Sequence, residues 1–195
     1  MGDPAVAQLD ELLAILDDEM VEARIVGFDV RGETLVLRIA AEGTEVTISC
    51  HGPRRWVIED ESIWRGQLTR DHPALLPFVE ARADLFFTGR PGDPHRLIAR
   101  LREAHEAVAP FIPADETFAQ SLSVAQLEGG HGHLASGPRS LMERYAEVAR
   151  DEGLRPKVIA GEARQADLAV LDLGDSYVVA ESFESEGDLR HLLEA

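Results

Sequence analysis

The spacing of apolar positions changes several times along the chain, and each change marks an element. Leu9, Leu12, Leu13, Leu16 and Met20 recur at helical spacing, giving one stripe of a helix over residues 3–20. Asp3 and Pro4 suit its first turn, while Asp10, Glu11, Asp17 and Asp18 fall mainly on the other side. From Arg24 the period drops to two. Val26, Phe28 and Val30 are followed by Leu35, Leu37 and Ile39, then Val46, Ile48 and Cys50, then Trp56 and Ile58. Turn residues separate the runs at Gly32, Gly43 and Gly52-Pro53. The pattern predicts a four-stranded antiparallel meander with one apolar face, which the first helix covers.

Regularity falls beyond residue 60. Pro73 opens a short helix around 73–81, and Pro77 keeps it short. Residues 84–88 read as an apolar strand, and Asp93 and Pro94 start a helix with the stripe Leu97, Leu101, Ala104 and Val108. Residues 118–127 read as a strand entering the turn Glu128-Gly129-Gly130, with 131–136 as its hairpin partner. A second long helix comes after Pro138, with Ser140 and Glu143 at capping-box spacing and Leu141, Tyr145 and Val148 on its core side. Gly153 and Pro156 stop it. Strands at 157–160, 168–173 and 177–183 come next, the last two joined at Gly174-Asp175, and the tail from Gly187 reads as a short helix or a frayed end.

The expected fold is therefore α+β. An N-terminal helix packs on a four-stranded meander. After it comes a β-α-β-β-α-β unit in the element order of a ferredoxin-like fold, with an extra C-terminal hairpin. The domains expected are 1–66 and 67–195, an arrangement also compatible with one continuous domain.

Composition narrows the function classes. The 195 residues are 45% hydrophobic and 28% charged, an ordinary globular balance, and no apolar run reaches the length of a membrane span. The acidic N-terminus is unlike a targeting peptide, so cytoplasm is the expected compartment. Cys50 is the only cysteine and alternates with Val46 and Ile48, which predicts a buried structural thiol and excludes multi-cysteine zinc sites. The net charge of −17 disfavours nucleic acid and anionic membrane as partners and is compatible with a basic protein partner. Small acidic α+β bacterial proteins that act as adaptors or neutralise toxins share this size and composition, an analogy of class and not of motif.

Three stretches are candidates for chemistry. His131 and His133, two apart on a strand, would present both imidazoles on one face, as strand-borne metal sites do. Ser136, Gly137 and Arg139 bring a glycine loop, a helix start and a guanidinium together, the ingredients of an anion site. Glu59, Asp60 and Glu61 form the densest acidic run, which a solvated turn explains equally well. No catalytic constellation emerges, no P-loop or nucleophile elbow is present, and no cofactor is implied. The leading expectation is a non-enzymatic cytosolic module that binds another protein through an acidic surface. The alternative is a small-molecule or metal-dependent enzyme using segment 131–139.

Overall fold

The computed structural model describes residues 4–18, 20–59, 62–118, 122–163 and 166–187. The expected cap at Asp3, the acids Asp60 and Glu61, residues 119–121 of the expected strand and the tail from residue 188 lie outside these. In chain order the elements are α1 (Pro4–Leu16), β1 (Ala23–Arg31), β2 (Thr34–Ala41), β3 (Thr44–His51), β4 (Arg55–Val57), β5 (Ser62–Ile63) and β6 (Gln67–Thr69). A 3-10 turn (Pro73–Leu75) leads into α2 (Leu76–Val79), β7 (Arg82–Thr88), α3 (Pro94–Val108), α4 (Ala114–Thr117) and α5 (Val124–Glu128). Then come β8 (His131–Pro138), α6 (Arg139–Asp151), β9 (Arg155–Ala160), β10 (Ala169–Asp172), β11 (Tyr177–Ala180) and β12 (Ser182–Glu186). The mixed α+β class with antiparallel sheets is as expected.

The chain folds as two compact units, residues 1–72 with 167–195, and residues 73–166. This differs from the break expected at 66/67. The C-terminal strands return to the first unit: β10 and β11 are buried at every position and have sheet neighbours on both edges, and β12 adds an edge strand beside β3.

In the first unit, β12-β3-β2-β1-β5 form one antiparallel sheet and β4-β11-β10-β6 another. The expected meander is thus three strands, β1 to β3. Its supposed fourth member, at Trp56, pairs instead with β11 in the second sheet. The expected strand 177–183 also divides, β11 joining one sheet and β12 the other, with Glu181 between them. Glu42 and Gly43 both take positive φ, 47° and 83°, the two-residue turn whose twist suits a hairpin between β2 and β3. Leu12, Leu13 and Leu16 of α1, Leu37, Ile39 and Ile48 of the meander, and Leu171 and Val178 of the second sheet share one core. Each such side chain contributes roughly 1.5–3 kcal/mol of burial. Cys50 is fully buried here, and burial pushes its thiol up to about 12, so it is inert as the sequence predicts.

One sequence expectation inverts. Alternation puts Val26, Phe28 and Val30 on the inward face of β1, yet they are 39%, 50% and 49% exposed. A bulge between Ile25 and Gly27 shifts the register, so Ile25 takes the core position opposite Ile39. Beyond it Phe28 and Val30 pair with Leu37 and Leu35, on the same face as these buried residues but half exposed.

In the second unit β8-β7-β9 form a three-stranded antiparallel sheet. Ala83, Leu85 and Phe87 project from β7 into a core with Leu97 and Leu101 of α3 and Leu141 and Tyr145 of α6. The ferredoxin-like order is not what forms. Where a strand was expected at 118–127, the described residues contain α5 and a single bridge from Phe118 to Ala135, and β7 and β8 pair antiparallel. Ser123 caps α5 by accepting from the Gln126 N–H, and Leu127 is its buried anchor, a capped one-turn helix that an apolar count reads as a strand.

Candidate functional site

Segment 131–139 is built by a strand that runs directly into a helix. α3 begins as predicted, Asp93 accepting from the N–H groups of His95 and Arg96. α6 does not use the expected capping box: Ser140 lies inside the helix, and Pro138 occupies the N-cap without a side-chain bond. Its free N–H groups are satisfied from outside the helix. The Arg139 N–H donates to the Ala81 carbonyl at 3.0 Å, and the Ser140 N–H donates to Glu80 Oε2 at 2.8 Å. The helix start does attract an anion, as its partial charge dictates, and the anion is the chain's own Glu80. The Arg139 guanidinium is also committed, donating to Glu143 Oε1 at 2.7 Å, which raises its pKa. Ser136, Gly137 and Arg139 therefore do not converge on a vacant anion seat.

Ser136 and Gly137 line a cleft of about 140 Å³ with Glu80, Arg82, Thr117 and Ile112 among its other walls. Arg139 is not part of it.

His131 and His133 stand on the same face of β8, opposite Thr88 and Phe86. His131 is exposed at the strand start. His133 meets two side chains, with Nε2 3.0 Å from Ser136 Oγ and 3.4 Å from Asp84 Oδ1, and its ring lies 5.0 Å from that of Phe86. The Ser136 hydroxyl also donates to Asp84 Oδ1. A serine, a histidine and an aspartate are thus together, in an order the sequence did not reveal because Asp84 arrives from the neighbouring strand.

The geometry is not that of a nucleophile relay. In such a relay the base accepts the serine proton on one ring nitrogen while the acid holds the other. Here the serine proton goes to Asp84, and both oxygens crowd the same nitrogen, Nε2. The consistent arrangement has Nε2–H donating to Ser136, which leaves no lone pair there to take a proton. Among the described residues no group of three or more His, Cys, Asp or Glu side chains is placed to hold a metal ion.

Two polar clusters escaped the sequence reading. Buried His105 lies 2.6 Å from the Tyr145 hydroxyl through Nδ1 and 2.5 Å from the Ile112 carbonyl through Nε2. A carbonyl only accepts, so Nε2 carries the proton and Tyr145 donates to Nδ1. Burial raises the Tyr145 phenol well above its ordinary value. At the end of α6, Glu152 has a side chain only 3% exposed and accepts from Arg96 at 2.7 and 2.9 Å and from Arg100 at 2.8 Å. Its hydrogen bonds from Arg96, then those from Arg100, hold its carboxyl below the usual range. Gly153 comes next in the left-handed region at φ 89°, and the Leu154 N–H closes the helix on the Ala149 carbonyl at 2.9 Å. Both clusters tie α3 to α6 and its C-terminal end.

No family model matches the chain, and neither does any curated protein or solved structure. Function must therefore be argued from these residues alone. No helix among the described residues is long and apolar enough to cross a membrane.

Proposed function

We propose that this protein is a non-enzymatic module that works by binding another protein. The observation that carries the reading is the combination of charge and exposed apolar surface in the first unit. Residues 1–72 and 167–195 hold twenty-three acidic and eight basic residues, an excess of fifteen negative charges, while residues 73–166 hold thirteen and eleven. On that acidic unit Val26, Phe28 and Val30 stand exposed along one strand. Exposed apolar side chains on a unit of net negative charge suit a partner that offers apolar and basic residues.

The residues put forward for chemistry support the same reading, since Arg139, Ser136 and the first turn of α6 are engaged by Glu143, Asp84 and Glu80. The test is capture from a native lysate followed by washing at rising salt. A specific partner released as salt rises is expected, because screening weakens exposed charge pairs. Recovery of no partner would contradict the proposal.

A small-molecule or metal-dependent enzyme is the second reading, and the cleft beside Ser136 and Gly137 is what favours it. Metal analysis of untagged protein, repeated on His131→Ala and His133→Ala, separates the two. A stoichiometric ion lost in those variants would support the enzyme.

A further inference from the structure

The sheet of the second unit has helices on one face only, and its other face is laid out in cross-strand rows. His131, Thr88 and Arg155 form one row, His133, Phe86 and Lys157 the next, and Ser136, Asp84 and Ile159 the third, with Arg82 at the end of β7. Phe86 is 38% exposed and Ile159 47%, and they are diagonal neighbours on adjacent strands. Around this apolar centre stand Arg82, Arg155 and Lys157, all exposed. Among the described residues none of these three has a side-chain ion pair or hydrogen bond, whereas Arg31, Arg54, Arg65 and Arg70 of the acidic unit are all paired. The one carboxylate in the rows themselves, Asp84, is engaged by the Ser136 hydroxyl, while Glu80 and Glu116 stand in the cleft at the Arg82 end.

An apolar centre rimmed by unpaired cations has the anatomy of a protein-binding patch. Resting on the reading of the protein as a binding module, we infer that this face docks an acidic polypeptide segment carrying apolar side chains. The apolar groups would cover Phe86 and Ile159, and carboxylates would meet Lys157, Arg155 and Arg82. Charge complementarity selects the sign of the partner, opposite to the one that suits the first unit. The chain's net charge of −17 opposes a polyanion, and His133 already packs against Phe86, so single-stranded nucleic acid is the less favoured occupant. The partner lies on the face and not along the edge of β9, because Pro156 lacks an N–H there and Lys157 blunts strand addition.

The experiment uses the full chain and three fluorescein-labelled probes, with anisotropy as the readout. They are a peptide alternating glutamate with leucine around one phenylalanine, the same peptide with lysine for glutamate, and an oligothymidylate. The acidic peptide is expected to bind saturably and more weakly as salt rises. The double variant Arg155→Glu/Lys157→Glu is expected to lose about tenfold or more in affinity, and Phe86→Ala a similar factor. Lys157→Arg should retain binding. Melting temperatures should stay unchanged in the charge variants, whose side chains are exposed. Phe86→Ala also loses the ring contact with His133, and its binding is measured well below its melting temperature. Absent binding, equal binding of the lysine peptide, or indifference to the double charge reversal would overturn the inference. Tighter binding of the oligothymidylate through the same residues would do so too, and would reassign the face to nucleic acid. The two proposals fail separately: a lysate partner still captured by the double charge-reversal variant leaves the binding module standing and removes this face from it.

Discussion

In the first unit β10 and β11 are buried on both faces, and residues more than a hundred positions apart in sequence complete one core. In the second, a continuous stretch of chain buries Ala83, Leu85 and Phe87 under two helices and leaves Phe86, Lys157 and Ile159 in the open. One unit is closed through its distant C-terminal strands and carries most of the negative charge. The other is closed locally, is near neutral, and displays a bare sheet face. The difference teaches that net charge is a poor guide to partners when it is unevenly divided. A chain of charge −17 repels polyanions as a whole, yet one of its faces is predominantly cationic.

The comparison is broken most severely by truncation. Removing residues 167–195 deletes Leu171, Val178 and Phe183 from the first core. The expected outcome is loss of the strand signal of that unit in circular dichroism. Amide resonances of 73–166 should remain dispersed, and their collapse would show that the second unit does not fold from its own contacts. Next in size is the paired substitution Leu37→Ala and Leu101→Ala, one in each core. Each should cost about 2–5 kcal/mol in denaturant unfolding, the range for large-to-small changes at fully buried sites.

Glu152→Gln sharpens the picture of the second unit. Its folded-state pKa is depressed, so the stability it supplies is present above the ordinary carboxylate value and is lost as pH falls through the lower folded value. Melting temperature measured against pH should therefore show an acid-side decline that is smaller in the Gln variant, with the Gln variant less stable at neutral pH. Glu80→Ala is the smallest effect, about 1 kcal/mol, as for loss of a helix cap.

Much of the fold was legible because it rests on local rules. Asp93 with Pro94, the stop at Gly153, and the alternation of β2 and β3 are read within a few residues and stand in the structure. Non-local choices were not legible. The bulge that displaces Val26 and puts Ile25 opposite Ile39 alters a register by one residue without changing composition. The partner of Trp56 is β11, far along the chain, and a pattern of three residues cannot name it. Of the candidate site, His133 and Ser136 do come together, but the groups that decide their chemistry, Asp84 and Glu80, arrive from β7 and the turn before it. His105 and Tyr145 were each visible as positions on a helix stripe or beside one, and their mutual hydrogen bond was not.

The central claim is that the helix start at Arg139 holds the fold while exposed strand surfaces make the contacts. Its most direct test is the dissociation constant of the captured partner for an Arg139→Ala variant against the unaltered chain. The account predicts constants within about twofold of each other. A loss of about tenfold or more, with melting temperature unchanged, would place the function at that helix start and contradict the account.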